Sequence, residues 1–172
     1  MKVADKIAEW IHAKEISTIF GIIGAGNIAI FDAVARLGKT QIVCTHHEQA
    51  AVMAAGSYFR VSGRISIALV TTGAGSTNAI TGVVAAYMDS TPLIVISGNE
   101  SAKYMYARTR VWGVQGYDSS GMVNGYVKYI SGRMRSTRNL MPLMEASYFE
   151  ALKPRRGPVW VDICKDVQNA VV

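Results

Sequence analysis

The opening positions repeat apolar residues at helical spacing. Val3, Ile7, Trp10 and Ile11 fall on one face of the stretch VADKIAEWIHAKE, which predicts an amphipathic helix. The period then changes. STIFGI (17–22) is a short apolar run that predicts a strand, and residues 26–37 (GNIAIFDAVARL) return to the helical period. TQIVCT (40–45) predicts a second strand, and the small and apolar residues from Glu48 to Arg60 predict a closely packed helix. ISIALVTT (65–72) is apolar throughout and rich in β-branched residues, the pattern of a strand in a sheet covered on both faces. GAGSTN (73–78) reads as a glycine loop, 77–88 as a helix and PLIVISG (92–98) as a fourth strand. Residues 99–125 are polar, contain glycines and carry no clear period. Beyond them, YVKYIS (126–131) predicts a fifth strand, 138–152 a helix and GPVWVDI (157–163) a last strand.

Strands alternating with helices predict an α/β fold, a three-layer α/β/α arrangement around a mostly parallel sheet of about six strands. The 172 residues, without internal repeat or low-complexity segment, read as one domain over 1–172. Half of them are hydrophobic and 17% are charged, slightly apolar for a free monomer, so part of the surface is expected to be covered by a partner. No apolar run approaches the roughly 20 residues of a membrane span, and the charged N-terminus has no secretory core. Two distant cysteines, Cys44 and Cys164, make neither a disulfide framework nor a metal cluster. A cytoplasmic protein without a membrane partner is expected. The net charge of +6 admits a nucleic-acid partner. Yet the basic residues are dispersed, apart from Arg133, Arg135 and Arg138 and the run KPRR (153–156). An acidic subunit or anionic substrates explain the charge as well, and no nucleic-acid partner is expected.

In such a fold, ligands meet the carboxyl ends of the strands. Three features fall there: GIIGAGN after the first strand, HHEQ after the second and TTGAGSTN after the third. Small residues let a ligand approach the backbone, and Ser76 or Thr77 could cap the helix that follows. Gly24, Gly26 and Ala29 also spell G-x-G-x-x-A, a dinucleotide-binding fingerprint, with Glu48 22 residues after Gly26 where a ribose-binding carboxylate would sit. Against this, a helix precedes the first strand, and Glu48 opens a helical segment from which it would point into a cleft. The residues alone leave both readings open.

The stretch HHEQAAVMAAGSYFRVSGRISIALVTTGAGSTNAITGVVAAYMDSTPLIVISGN resembles the pyrimidine-binding domain of thiamine-diphosphate enzymes, and within them acetolactate synthase and its relatives. That group reads H-E-Q, then T-S-G-P-G-A-T-N, then D-S-x-P-L-V-x-I-S-G. GPVWVDICKDVQ likewise resembles its G-P-V-x-V-D-x-P-K-D-x-Q. The resemblance implies the fold of the pyrimidine domain and a thiamine diphosphate cofactor. Glu48 would be the catalytic glutamate that hydrogen-bonds the aminopyrimidine N1′ and so favours loss of the thiazolium C2 proton. Gly24, Ala25 and Gly26 match the family's loop beside the reacting centre; Gly73, Ala74 and Asn78 match the loop touching the pyrimidine. Gln115 matches a glutamine near the substrate and is carried as a second catalytic candidate. His47, Val114 and Lys128 match substrate-side positions. The sequence departs from the family at Ile23 and Ala25, where P-G-G reads IGA, at TTGAG, which lacks a proline, and at Val114, where acetolactate synthases have phenylalanine.

Full-length members also carry a diphosphate-binding domain whose G-D-G…N motif holds Mg²⁺, and no such motif occurs here. The resemblance therefore implies that Mg²⁺ and the diphosphate are held by a partner β subunit, the chain being the α subunit of a split α2β2 enzyme. The start at Met1 and the end just after the last strand fit that expectation, and split sulfopyruvate and phosphonopyruvate decarboxylases offer a precedent. The implied reaction decarboxylates a 2-oxoacid such as pyruvate and joins the fragment to a second carbonyl. The alternatives are decarboxylation alone and a non-catalytic module that keeps the fold.

Overall fold

The computed structural model describes residues 1–106 and 109–172. Its strands are β1 (Thr18–Gly21), β2 (Gln41–Cys44), β3 (Ile67–Val70), β4 (Leu93–Asn99), β5 (Tyr129–Met134) and β6 (Pro158–Cys164). They form one six-stranded sheet in the order β2-β1-β3-β4-β6-β5, with every pairing parallel. The helices are α1 (Val3–Ala13), α2 (Ile28–Leu37), α3 (Glu48–Ser62), α4 (Ala74–Met88), α5 (Ser119–Val123), α6 (Leu140–Leu152) and α7 (Lys165–Asn169).

Side chains alternate across a strand, and here both faces are buried. Ile67 and Leu69, Ile94 and Ile96, and Val159, Val161 and Ile163 face one layer, packed under α1, α2, α6 and α7. Ala68 and Val70, Leu93 and Val95, and Trp160 face the other, under α3, α4 and α5. The expected three layers follow. The second layer is built from small residues, Ala51, Ala55 and Ala79 among them, so α3 and α4 lie close together.

The chain leaves β1 into α2 on one face and β3 into α4 on the other. Between the carboxyl ends of these neighbours the two connections part and a crevice opens. The turn after β1 is wedged into it. Gly98, at the end of β4, lies against the Gly26 carbonyl so closely that a Cβ there would collide with it.

Five elements differ from the sequence reading. GAGSTN is mostly helical: α4 starts at Ala74, because only Gly73 takes a non-helical turn conformation. β5 starts at Tyr129 rather than 126, and its register shifts between Ile130 and Arg133, a bulge in an edge strand whose polarity hides its period. Residues 99–125 hold a 3₁₀ turn, Ala102–Tyr104, and α5, and a short α7 follows β6. Both α5 and α7 span five residues, too few to show a helical repeat.

Gly98→Ala is expected to destabilise the fold by roughly 1–3 kcal/mol, since two backbones must part to admit one methyl group. A denaturation midpoint equal to that of the wild type would refute this contact.

Candidate functional site

The three glycine- and histidine-bearing segments meet at the carboxyl edge of the sheet. After β1, Asn27 is fully buried and organises the turn. Its Oδ1 accepts the Gly24 N–H at 2.8 Å, and its Nδ2 donates to the Ile22 carbonyl at 3.0 Å. The Gly26 N–H donates to Thr71 Oγ1 at 3.1 Å, and the Gly26 carbonyl accepts from Gln168 Nε2 at 2.7 Å. Gly24 lies against Thr71, whose Oγ1 would collide with a Cβ there, and Ala25 is exposed.

After β2, His47 caps α3. Its Nδ1 accepts the Gln49 N–H at 3.2 Å, and its ring stays exposed. Glu48 is the first residue of α3 and only 7% exposed. Its Oε2 accepts from Asn78 Nδ2, on α4, at 2.9 Å. Among the described residues, Oε1 has no hydrogen-bond donor. One carboxylate oxygen is held by Asn78, and the other lies beside Gly75.

After β3, Gly73 has φ 73° and precedes α4. A side chain would be strained there, and its Cβ would lie 2.9 Å from the Gln115 carbonyl oxygen. Gln115 and Tyr117 fasten this turn from outside. Gln115 Nε2 donates to the Thr72 carbonyl and the Tyr117 hydroxyl to the Gly73 carbonyl, both at 2.8 Å. Val114, 85% exposed, projects from the same turn, which closes through the Trp112–Gly116 bridge.

The structure therefore brings Gly24, Ala25, Gly26, Glu48, Gly73, Ala74, Asn78 and Gln115 to one edge, with His47 beside Glu48. Lys128 is not among them. Its backbone pairs with Pro158, the first residue of β6, and its Nζ donates to the Lys153 carbonyl, at the opposite edge of the sheet. There burial lowers its pKa.

The sequence reading passed over the polar side chains that hold this edge together: Asn27, Asn99, Asp162 and Gln168. A carboxylate inside the apolar strand PVWVDIC was the available signal, because a buried charge needs partners. Asp162 is fully buried, and its Oδ2 accepts from Asn99 Nδ2 at 2.9 Å and Ser119 Oγ at 2.8 Å. Asn99 Nδ2 also donates to the Tyr117 carbonyl at 3.2 Å, so the segment bearing Gln115 is tied to β4 and β6. Burial pushes the Asp162 carboxyl up to about 6, against the pull of its two hydrogen bonds and of Arg133. Among the described residues, no three His, Cys, Asp or Glu side chains gather as a metal site, and no helix is long and apolar enough to cross a membrane.

Residues 1–122 match the family described as thiamine pyrophosphate enzyme, N-terminal TPP binding domain. The chain is 33% identical over 166 residues to the acetolactate synthase large subunit of Haemophilus influenzae, covering 96% of this chain and 28% of that protein. It is 34% identical over 166 residues to the acetolactate synthase isozyme 3 large subunit of Escherichia coli, with the same coverage. It is 31% identical over its whole length to the probable acetolactate synthase large subunit of Methanocaldococcus jannaschii, again 28% of that protein. The chain thus spans 28% of the length of these curated relatives.

Asp162 predicts a pH signature. Its native pKa lies above the ordinary 3.8, so protonation favours the fold. That contribution is full below about pH 4 and is lost as pH rises through about 6. Relative to Asp162→Asn, which cannot titrate, the wild type is expected to lose up to roughly 3 kcal/mol across this window. Parallel stability profiles for the two proteins would show that Asp162 keeps an ordinary pKa.

Proposed function

The chain belongs to the thiamine pyrophosphate enzymes, through their N-terminal TPP-binding domain, and from that premise we propose that it forms the pyrimidine side of a carboligase active site. In this reading residues 1–172 are the pyrimidine-binding domain of an acetolactate synthase-like enzyme, cytoplasmic, acting on pyruvate or a similar 2-oxoacid. The observation that carries it is Glu48: a buried carboxylate with one oxygen fixed by Asn78 and the other without a donor among the described residues, beside the glycine-bearing start of α4. That arrangement fits an aminopyrimidine ring, which offers a nitrogen to a carboxylate and flat faces to residues without bulk.

When bound, thiamine diphosphate supplies the nucleophilic carbon that makes decarboxylation of a 2-oxoacid and transfer of the remaining fragment accessible. Glu48 holds and moves a proton at the ring N1′, and Asn78 keeps its carboxylate in line. Gly24, Ala25 and Gly26 border the reacting side; Gly73 and Ala74 border the ring. Gln115, anchored on Thr72, and Val114 flank the entry of the second substrate, where a valine leaves more room than phenylalanine. His47 sets the start of α3 and so the aim of Glu48. Lys128 takes no part at this edge.

We place Mg²⁺ and the diphosphate on a diphosphate-binding domain carried by a partner β subunit in an α2β2 assembly. The exposed Met53 of α3 and Tyr87 and Met88 of α4 offer apolar surface for such an assembly. The 28% share of the relatives also fits a domain of a longer polypeptide, and the mass of the native polypeptide decides between them.

The assembled protein, supplied with Mg²⁺, thiamine diphosphate and pyruvate, is expected to release an acyloin. Glu48→Gln should lower turnover by a factor of about 10²–10⁴, with calorimetry showing that the cofactor still binds. Undiminished turnover in that variant would overturn the assignment of Glu48. An aldehyde in place of the acyloin would mark a decarboxylase of the sulfopyruvate or phosphonopyruvate type. Absence of both turnover and cofactor binding in the wild-type assembly would leave a module that keeps only the fold.

A further inference from the structure

A second concave site lies at the other side of the segment that bears Gln115. It encloses about 380 Å³, within the range of small-molecule sites. Arg110, Arg133 and Arg135 line it, together with Trp112, Tyr117 and Asp118. Arg133 lies on β5, the edge strand, just past its register shift, and Arg135 follows directly after the strand's last residue, Met134.

Two of the three guanidinium groups are held in place, and Arg110 is exposed. Arg133 stacks over the Trp112 ring, 4.8 Å from its centroid, and makes a long ion pair to Asp118 Oδ2 at 3.7 Å. Arg135 donates Nη2 to the carbonyls of Met105 at 3.2 Å and Ala102 at 3.4 Å, contacts that fix its fork and leave its charge. The other acids nearby are engaged elsewhere. Glu100 lies under the Trp112–Gly116 turn and pairs with Lys165 at 2.6 Å. Asp162, behind the lining, accepts from Asn99 and Ser119 and feels the charge of Arg133, and Asp166 accepts the Ala102 N–H at 3.0 Å. Among the described residues, three guanidinium groups against one carboxylate leave the lining with an excess of two positive charges.

Planar forks whose orientation is already set bind tetrahedral oxyanions bidentately and lose little freedom in doing so. Carboxylates carry half the charge needed to balance this lining; a phosphoryl group carries about two negative charges near neutrality. We propose that this pocket is a binding site for a small phosphate-bearing anion, held by Arg110, Arg133 and Arg135 against the wall of Trp112 and Tyr117. The phosphoryl group is the shared chemistry, whether it comes as inorganic phosphate or on a phosphomonoester metabolite. The site uses no residue assigned to the cofactor, so it stands or falls independently of the proposed carboligase activity.

The test titrates the intact protein with inorganic phosphate and, separately, with glycerol 3-phosphate, at constant ionic strength against chloride. Calorimetry and tryptophan fluorescence report binding. Saturable binding with a dissociation constant below about 1 mM is expected for at least one of them. The fluorescence change should vanish in Trp112→Phe, which places the ligand beside that ring. Arg133→Ala should weaken binding at least tenfold, and Arg133→Lys, which keeps the charge and loses the fork, by a smaller factor. Arg110→Gln alters an exposed side chain and should also weaken binding, which covers the case in which loss of Arg133 disturbs Trp112. Equal affinities for the two probes would mean that the phosphoryl group alone is read; tighter binding of the ester would mean that the pocket reads its organic part too. Binding unchanged in all the arginine variants, or no saturation up to about 10 mM, would overturn the proposal.

Discussion

A parallel strand buried on both faces has no polar side to spare, and that restriction shapes this molecule. Ile67 to Val70 and Pro158 to Ile163 are buried almost without interruption, so hydrogen-bonding side chains gather where the strands end. Which end is decided by connectivity. β1 and β3 are neighbours whose following helices depart to opposite faces, so the space above their carboxyl ends cannot be closed by either. Turns without bulky side chains can enter it, and a carboxylate at the start of α3 can point into it.

The edge is kept in shape by amides and hydroxyls rather than by packing. Asn27 closes the first turn on itself, Gln168 fastens it from α7, and Ser76 pairs with Ser97 beneath the third. Asn99 and Asp162 hold the outer segment from β4 and β6. Each of these groups is desolvated and would be costly if orphaned, which makes the arrangement specific as well as firm. Asp162 shows the expense most clearly, since it retains a carboxylate where burial opposes ionisation.

Much of the fold was legible because each layer repeats a simple rule. The helical spacing of Val3, Ile7, Trp10 and Ile11 and the unbroken apolarity of IALV state their surroundings directly. Glu48 was legible through its neighbours, since a lone carboxylate after a strand supports several chemistries and only the surrounding motifs separate them. What escaped were features that exist only in three dimensions. Nothing local marks Gln168 as the partner of Gly26, or Asn99 as the link between Tyr117 and Asp162. The start of α4 was misjudged because Gly-Ala-Gly looks like a loop whatever its dihedral angles. Lys128 was misplaced because alignment to a motif carries no information about which end of a sheet a residue occupies.

The bond from Gln168 to Gly26 spans 142 residues of chain. A ribosome makes the glycine turn long before its fastener, so the turn emerges with one of its restraints still unmade. Helix α1 shares this history, because the Val3 N–H is satisfied by the carbonyl of Ala170. The sheet can begin to assemble from β1, β2 and β3 as they appear, whereas the ligand-facing turn is secured only when α7 docks against it. The crevice is thus completed only once α7 has been made, and a nascent chain stalled before α7 would carry a formed core beneath an unfinished pocket.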